Sequence, residues 1–194
     1  MKYCMVILLL LVVGCGEMTE SDHSHDAGNH NHTGPQVLQG SDSKNTSDEQ
    51  DPALKALEEL GAKITRNEQG KVLAVSLGSD AGIAHLAGLA DLEIVSLVGP
   101  QVTDAGLLSL SGLTNLKHFE LYSPQVTNAG MAHLKNLKNL NFLALDTCSK
   151  ISDAGVVHLT ALTKLETLSV IDTKVTDAGV AELKKALPNC EINR

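Results

Sequence analysis

Residues 113–137 read LTNLKHFELYSPQVTNAGMAHLKNL, and two apolar periods meet inside them. Leu116, Phe119 and Leu121 alternate with polar residues as a short strand does, whereas Met131, Leu134 and Leu137 step by three, as one face of a short helix does. The tetrapeptide Thr127-Asn128-Ala129-Gly130 sits between them, where a helix start belongs. The stretch therefore predicts a strand, a loop and a helix.

The unit recurs. SDAG begins at Ser79, TDAG at Thr103, TNAG at Thr127, SDAG at Ser152 and TDAG at Thr176, in steps of 24, 24, 25 and 24 residues. One such unit cannot bury its own apolar stripe, so neighbours must stack and share a continuous core. The spacing predicts strands at 72–77, 92–97, 116–121, 140–145 and 165–170, with 187–192 as a terminal half-repeat. Leu77 lies only three residues before Asp80, so the first loop is four residues shorter, which suits an atypical end repeat.

Ahead of the repeats, Asp51 and Pro52 suit the N-cap and first turn of a helix. Leu54, Leu57 and Leu60 would form its buried face, and Gly61 would stop it. Ile64 then begins a short strand, turned at 67–70 into the first repeat strand.

This pattern resembles the leucine-rich repeat family, whose period runs from about 20 to 29 residues. The resemblance covers residues 71–194 and is nearest to bacterial repeats with TDAGL helix starts. These are similar to the cysteine-containing subclass, as the stretch CSKISDAG from Cys148 also is. It implies an α/β solenoid of about five repeats plus a terminal half-repeat, with short parallel strands on a concave face and helices on a convex one. The asparagine usual in the loop after the strand is missing. No F-box-like helical module precedes the repeats, so no ubiquitin-ligase role is carried over.

The repeat also decides how candidate sites are read. Asp80, Asp104, Asp153 and Asp177 each follow a Ser or Thr at a helix start, and Asn128 takes the fifth place. A catalytic acid would be unique and set beside a base. A repeat-wide helix cap explains every copy: the hydroxyl meets free N–H groups, and the acid favours the positive end of the helix dipole. His85, His133 and His158 recur five residues after the helix-start position. Neighbouring helices lie about 8–10 Å apart, too far to share an ion, so these are expected to be partly buried helix histidines.

The outward strand positions carry more information because they are not a repeat consensus. Alternation sets His118, Glu120 and Tyr122 on the concave face, with Ala74, Ile94, Phe142 and Thr167 in the row of His118. His118, Glu120, Tyr122, Phe142 and Asp146 gather on the middle pair of strands. Tyr122 and Phe142 are two of the three aromatic Phe/Tyr/Trp residues that follow the signal. Aromatic side chains dominate interface hot spots, so this patch is the expected binding site for a protein or peptide. No serine or cysteine nucleophile pairs with the histidine, and an open sheet lacks an enclosed pocket, so no enzymatic activity is expected. Six strands expose a few hundred Å², below the usual ~800 Å² per partner; the sheet alone suits a weak partner, a peptide, or a site extended by loops.

The N-terminal segment supplies an address. Lys2 and an apolar run from Val6 to Val13 lead into Gly14-Cys15, too short to span a bilayer but shaped like an export signal. Val12-Val13-Gly14-Cys15 resembles the bacterial lipoprotein signal, which implies cleavage after residue 14 and lipid on Cys15. Gly16 follows where an aspartate would favour the inner membrane, so the outer membrane or cell surface is implied. Residues 15–51 then read as a disordered tether, with eight acids from 17 to 51 against the single Lys44. Its reach as a flexible chain would be about 30–35 Å.

His23, His25, His30 and His32 lie within that tether and could wrap a zinc, copper or nickel ion, or be incidental to a polar linker. Beyond residue 51 there are 15 acids and 13 bases with no basic cluster, which argues against nucleic acid as a partner. Cys148 and Cys190 are expected to be free thiols, two repeats apart and beyond disulfide reach. The reading is thus four segments: a signal at 1–14, a lipid-anchored tether at 15–51, a helix-and-strand cap at 52–70 and repeats at 71–194. Two functions stand open, a non-catalytic binding solenoid at the cell envelope without a cofactor, or an envelope metal-binding protein using the histidine tract.

Overall fold

The structure, a computed structural model, describes residues 51–194. The signal, the lipidation position Cys15 and the tract His23, His25, His30 and His32 lie outside the described residues.

The chain opens with helix α1 (Pro52–Glu59), where Asp51 Oδ1 accepts a hydrogen bond from Ala53 N at 2.8 Å. Leu54 and Leu57 are buried as expected, but Leu60 is not: it is the C-cap and 48% exposed. The reason is the helical period: at 3.6 residues per turn, position 60 lies about 120° round from Leu54, off the buried stripe. Gly61, at φ 78°, then ends the helix, with Gly61 N bonding Glu58 O and Ala62 N bonding Leu57 O.

Strand β1 (Lys63–Arg66) then forms a hairpin with β2 (Val72–Ser79), pairing Ile64 with Val75. Its turn is held by Asn67 Oδ1, which accepts from both Gln69 N and Lys71 N at 3.0 Å.

From β2 onward every pairing is parallel, and strands follow one another in a seven-stranded sheet in sequence order. Strands β3 (Ile94–Gln101), β4 (His118–Tyr122), β5 (Phe142–Ala144), β6 (Thr167–Ser169) and β7 (Glu191–Asn193) complete it. The register is unbroken through the buried positions: Val75 pairs Val95, then Phe119, Leu143, Leu168 and Ile192. Each step of that register is one repeat. Residues 72–194 form a leucine-rich repeat solenoid.

Every expected strand shifts at one or both ends: β2 runs two residues further, to Ser79, the strands from β3 to β6 each start two residues later, and β7 is shortened to Glu191–Asn193. β3 starts at Ile94 and runs on to Gln101, because the short first loop lets Ser79 pair Gln101. β5 and β6 hold only three residues each, because the chain enters the left-handed region just beyond them, at Thr147 (φ 62°) and Asp172 (φ 57°).

The returns are helical and short. Helices α2 (Asp80–Leu86), α3 (Asp104–Leu108), α4 (Asn128–Met131), α5 (Asp153–Val156) and α6 (Asp177–Ala186) each start on the expected motif. The middle three tighten at once into 3-10 segments at Ser109–Gly112, Ala132–Asn136 and Val157–Ala161. Such tightening suits a return of two turns and brings residues three apart onto one edge. Leu116, Phe119, Leu121, Val126, Met131, Leu134 and Leu137 of the opening stretch are all fully buried.

The aspartates of the DAG motif do more than begin helices. Asp80 accepts from Thr103 N and Oγ1, Asp104 from Thr127, and Asp153 from Thr176, each through both carboxylate oxygens at 2.5–2.8 Å. At the fifth place Asn128 Oδ1 accepts from Ser152 N at 2.9 Å, and its Nδ2 donates to Ser152 Oγ. Both carboxylate oxygens of Asp80, Asp104 and Asp153 are therefore spent on the next repeat.

The glycine two residues later completes the device. A Cβ at Gly106, Gly130, Gly155 or Gly179 would overlap the Asp or Asn oxygen of the preceding repeat. In Thr-Asp-Ala-Gly the threonine donates backward, the aspartate accepts from ahead and the glycine leaves room. The expected hydroxyl caps occur at Thr103, Thr127 and Thr176 but not at Ser79 or Ser152.

The missing loop asparagine is replaced by smaller donors. Ser123 Oγ donates to Val102 O at 2.8 Å and accepts from Gln125 N at 3.1 Å. In the following repeat the Cys148 thiol donates to Leu121 O at 3.3 Å. Cys148 and Cys190 are both free and buried.

Candidate functional site

Strand pairing places the outward residues in rows that cross the sheet. Ala74, Ile94, His118, Phe142 and Thr167 form the first row, and Ser76, Ser96, Glu120, Ala144 and Ser169 the second. In the third, Val98 pairs Tyr122, and Asp146 and Ile171 follow two residues after Ala144 and Ser169. The five singled-out residues lie together on β4 and β5 and the turn after β5.

Within the group the imidazole of His118 stacks on the ring of Phe142, with centroids 4.2 Å apart and planes 3° from parallel. The stack spans the parallel pair β4–β5 and sets two packed rings on the concave face. His118 Nε2 also lies 3.4 Å from Glu120 Oε1, a long contact between side chains 26% and 12% exposed.

Glu120 lies at the floor of the face rather than on its rim. Its row neighbours are Ser96, Ala144 and Ser169, too short to stand beside it, while His118 and Tyr122 rise on either side along its own strand. Glu120, Ala144 and Ser169 are all buried, whereas His118, Phe142, Tyr122 and Asp146 are half-buried and Val98 and Ile171 exposed.

Asp146 has structural work besides. Its Oδ1 accepts from Ser169 Oγ at 2.6 Å and from Ile171 N at 3.0 Å, which ties the turn after β5 to β6. Being bonded, it is a fixed charge on the rim. Beside it Cys148 is pushed up to about 11, mainly by burial, with the Asp146 charge adding to the rise and the backbone N–H of Ser123 opposing it. The thiol keeps its proton at neutral pH and serves as a donor.

Sequence reasoning passed over Val98 and Ile171, which are 50% and 44% exposed on the third row. Their signal was present, since an apolar residue at an outward strand position needs a partner or a price in solvation. A second feature went unread, an open polar groove of about 540 Å³ along the N-terminal ends of the strands. Its side chains are tied between repeats: Lys71 pairs with Asp91 at 2.9 Å, Lys117 pairs with Glu93 at 2.8 Å, and Lys164 donates to the amide of Asn139 at 2.7 Å. It reads as bracing of the solenoid edge.

The histidine column carries no ion site. His85 and His133 are half-buried, but His158 is exposed. No group of three metal-capable side chains occurs among the described residues, and no helix among them is long and apolar enough to cross a membrane.

Comparison with known proteins adds a likeness in architecture. No protein-family model matches the sequence. No curated protein matches it significantly either. Among solved structures, internalin C2 from Listeria monocytogenes is 19% identical with a TM-score of 0.40, covering 73% of this chain and 82% of that one. A second internalin (inlF) from the same organism is 16% identical with a TM-score of 0.34, and the matched part spans 55% of its length and 74% of this chain. The sheet order and repeat register described above, rather than these likenesses, establish the solenoid.

Proposed function

We propose that this chain is a non-catalytic polypeptide-binding module, tethered to the cell envelope through a lipid on Cys15, that docks its ligand on the concave sheet face. The observation that carries the reading is the stacked His118–Phe142 pair beside Tyr122 at the centre of the sheet. A solenoid does not need those residues, because the equivalent positions elsewhere hold Ala74, Ile94 and Thr167. Half-buried aromatic rings held in one rotamer bind with little loss of side-chain entropy. Exposed Val98 and Ile171 widen the apolar area at either side.

In this reading Tyr122 and Phe142 anchor the ligand, His118, Glu120 and Asp146 select it, and the tether holds the head near the membrane. The test is crosslinking in cells with the full chain, comparing wild type with Tyr122→Ala/Phe142→Ala. Loss of discrete partners in the double variant supports docking on this face. Recovery of the same partners at the same level contradicts it.

A further inference from the structure

We infer that the concave face receives an extended polypeptide segment laid across the strands, and that a lysine or arginine of that segment is held by Glu120. The inference rests on the docking reading above and names the partner's chemistry.

The first observation is the shape of the face. The second row is made of Ser76, Ser96, Ala144 and Ser169 apart from Glu120, while the flanking rows carry Ile94, His118 and Phe142 on one side and Val98, Tyr122 and Ile171 on the other. Short residues between taller ones make a furrow running across the strands. Its walls are four residues apart along a strand, about 13 Å, and its length over the five strands of that row is about 19 Å. That width, less the wall side chains, takes a single extended chain of about six residues; a helix with its side chains is ~10–12 Å across and would ride on the walls.

The second observation is the charge at the furrow's floor. Glu120 is the sole ionisable residue in its row from β2 to β6, and its side chain is only 12% exposed. Its contact with His118 is long, at 3.4 Å. Carboxylates that deep are rarely left without a strong partner. Asp146, on the wall, spends both its hydrogen bonds through Oδ1 and adds a second negative charge without being free to move. Phe142 and Tyr122 border the same space, and aromatic faces attract a cation as well as the aliphatic stem behind it. The neutral alternatives at the floor, serine and alanine, show that the fold does not require an acid there.

The test uses the full-length protein and a displayed library of random twelve-residue peptides. The expected result is a set of binders with lysine or arginine fixed at one position. Affinity should fall at least tenfold in the near-isosteric Glu120→Gln variant, and also in Val98→Lys, an exposed wall substitution that opposes a cation without touching the core. Replacing the fixed basic residue of a selected peptide with norleucine should cost wild type the same factor and cost Glu120→Gln almost nothing. Binders with no basic preference, lost in Tyr122→Ala/Phe142→Ala but unaffected by Glu120→Gln, would overturn the cation site and leave the docking face standing. Binders indifferent to all of these variants, or no binders at all, would overturn the inference; the first would also overturn the docking face.

Discussion

Asp104 accepts two hydrogen bonds from Thr127, one residue short of a repeat ahead, at 2.8 Å from the backbone N and 2.6 Å from Oγ1. The same pair recurs between Asp80 and Thr103 and between Asp153 and Thr176. Apolar stacking alone would let one repeat slide or rotate against the next. A bidentate acceptor meeting two fixed donors sets the angle between them.

Replacing Asp104 with alanine leaves the N–H and hydroxyl of Thr127 without their acceptor, and should cost about 1–2 kcal/mol in this partly exposed setting. Asp104→Asn should cost less than half of that, since Asn128 already makes the equivalent bonds to Ser152. Urea midpoints at constant slope measure both. Equal losses for alanine and asparagine would show that charge, not hydrogen bonding, joins the repeats.

Gly130 lies where a Cβ would run into Asp104 Oδ1 and crowd Leu107 and Val126. Gly130→Ala should therefore destabilise the chain, although alanine is the better helix former by about 1 kcal/mol. Combined with Asp104→Ala the losses should be less than additive, because the first substitution has removed the oxygen that the second would strike. Strict additivity in a double-mutant cycle would refute the close approach.

The Asp153–Thr176 pair also gives stability a dependence on pH. The backbone N–H of Thr176, and then its hydroxyl, hold the Asp153 carboxyl below its ordinary value of 3.8. A carboxylate with a depressed folded value contributes stability that is full above the unfolded value and fades as pH falls through the folded one. Stability should thus decline on acidification through and below 3.8, and Asp153→Asn should make that acid limb shallower. An unchanged acid limb would show that the pair does not titrate with folding.

Cys148 is buried and its thiol is pushed up to about 11, chiefly by burial. Native protein at pH 7.5 should react with a maleimide far more slowly than unfolded protein. Cys148→Ser should be tolerated to within about 1 kcal/mol, because a hydroxyl there can still donate to Leu121 O, as Ser123 at the equivalent position donates to another carbonyl of its preceding repeat, Val102 O, whereas Cys148→Val loses the bond to Leu121 O. Fast labelling in the native state would place the thiol at the surface.

Much of this architecture is legible in the sequence because repetition averages out local ambiguity. Five copies of one motif fix the strand register, and the register fixes which residues share a row. What could not be read depends on contact between repeats. The spacing marks Asp104 as a helix start, but only the stacked structure shows its carboxylate on Thr127. Outward parity locates Glu120, yet its depth follows from the height of His118 and Tyr122 beside it. Asp146 looks like a free acid until Ser169 and Ile171 are brought against it. Leu60 continues a step of three from Leu54 and Leu57, and that step drifts off the buried face of a 3.6-residue turn. The histidine tract at 23–32 stays a composition signal, and zinc titration with and without residues 17–51 would show whether it holds an ion: micromolar affinity that vanishes with the deletion is the result a metal site requires.

The docking face is tested most directly by photo-crosslinking from defined positions of the full-length chain in its cells. A photoreactive amino acid placed at position 98, exposed on the concave wall, should capture a discrete protein partner, and one at position 108, exposed on a helix of the convex side, should not. The capture should weaken by tenfold or more in Phe142→Ala, as the loss of an aromatic anchor worth about 2 kcal/mol requires. Capture from position 108 alone, or capture from position 98 that survives loss of both Tyr122 and Phe142, would contradict the concave face as the binding surface.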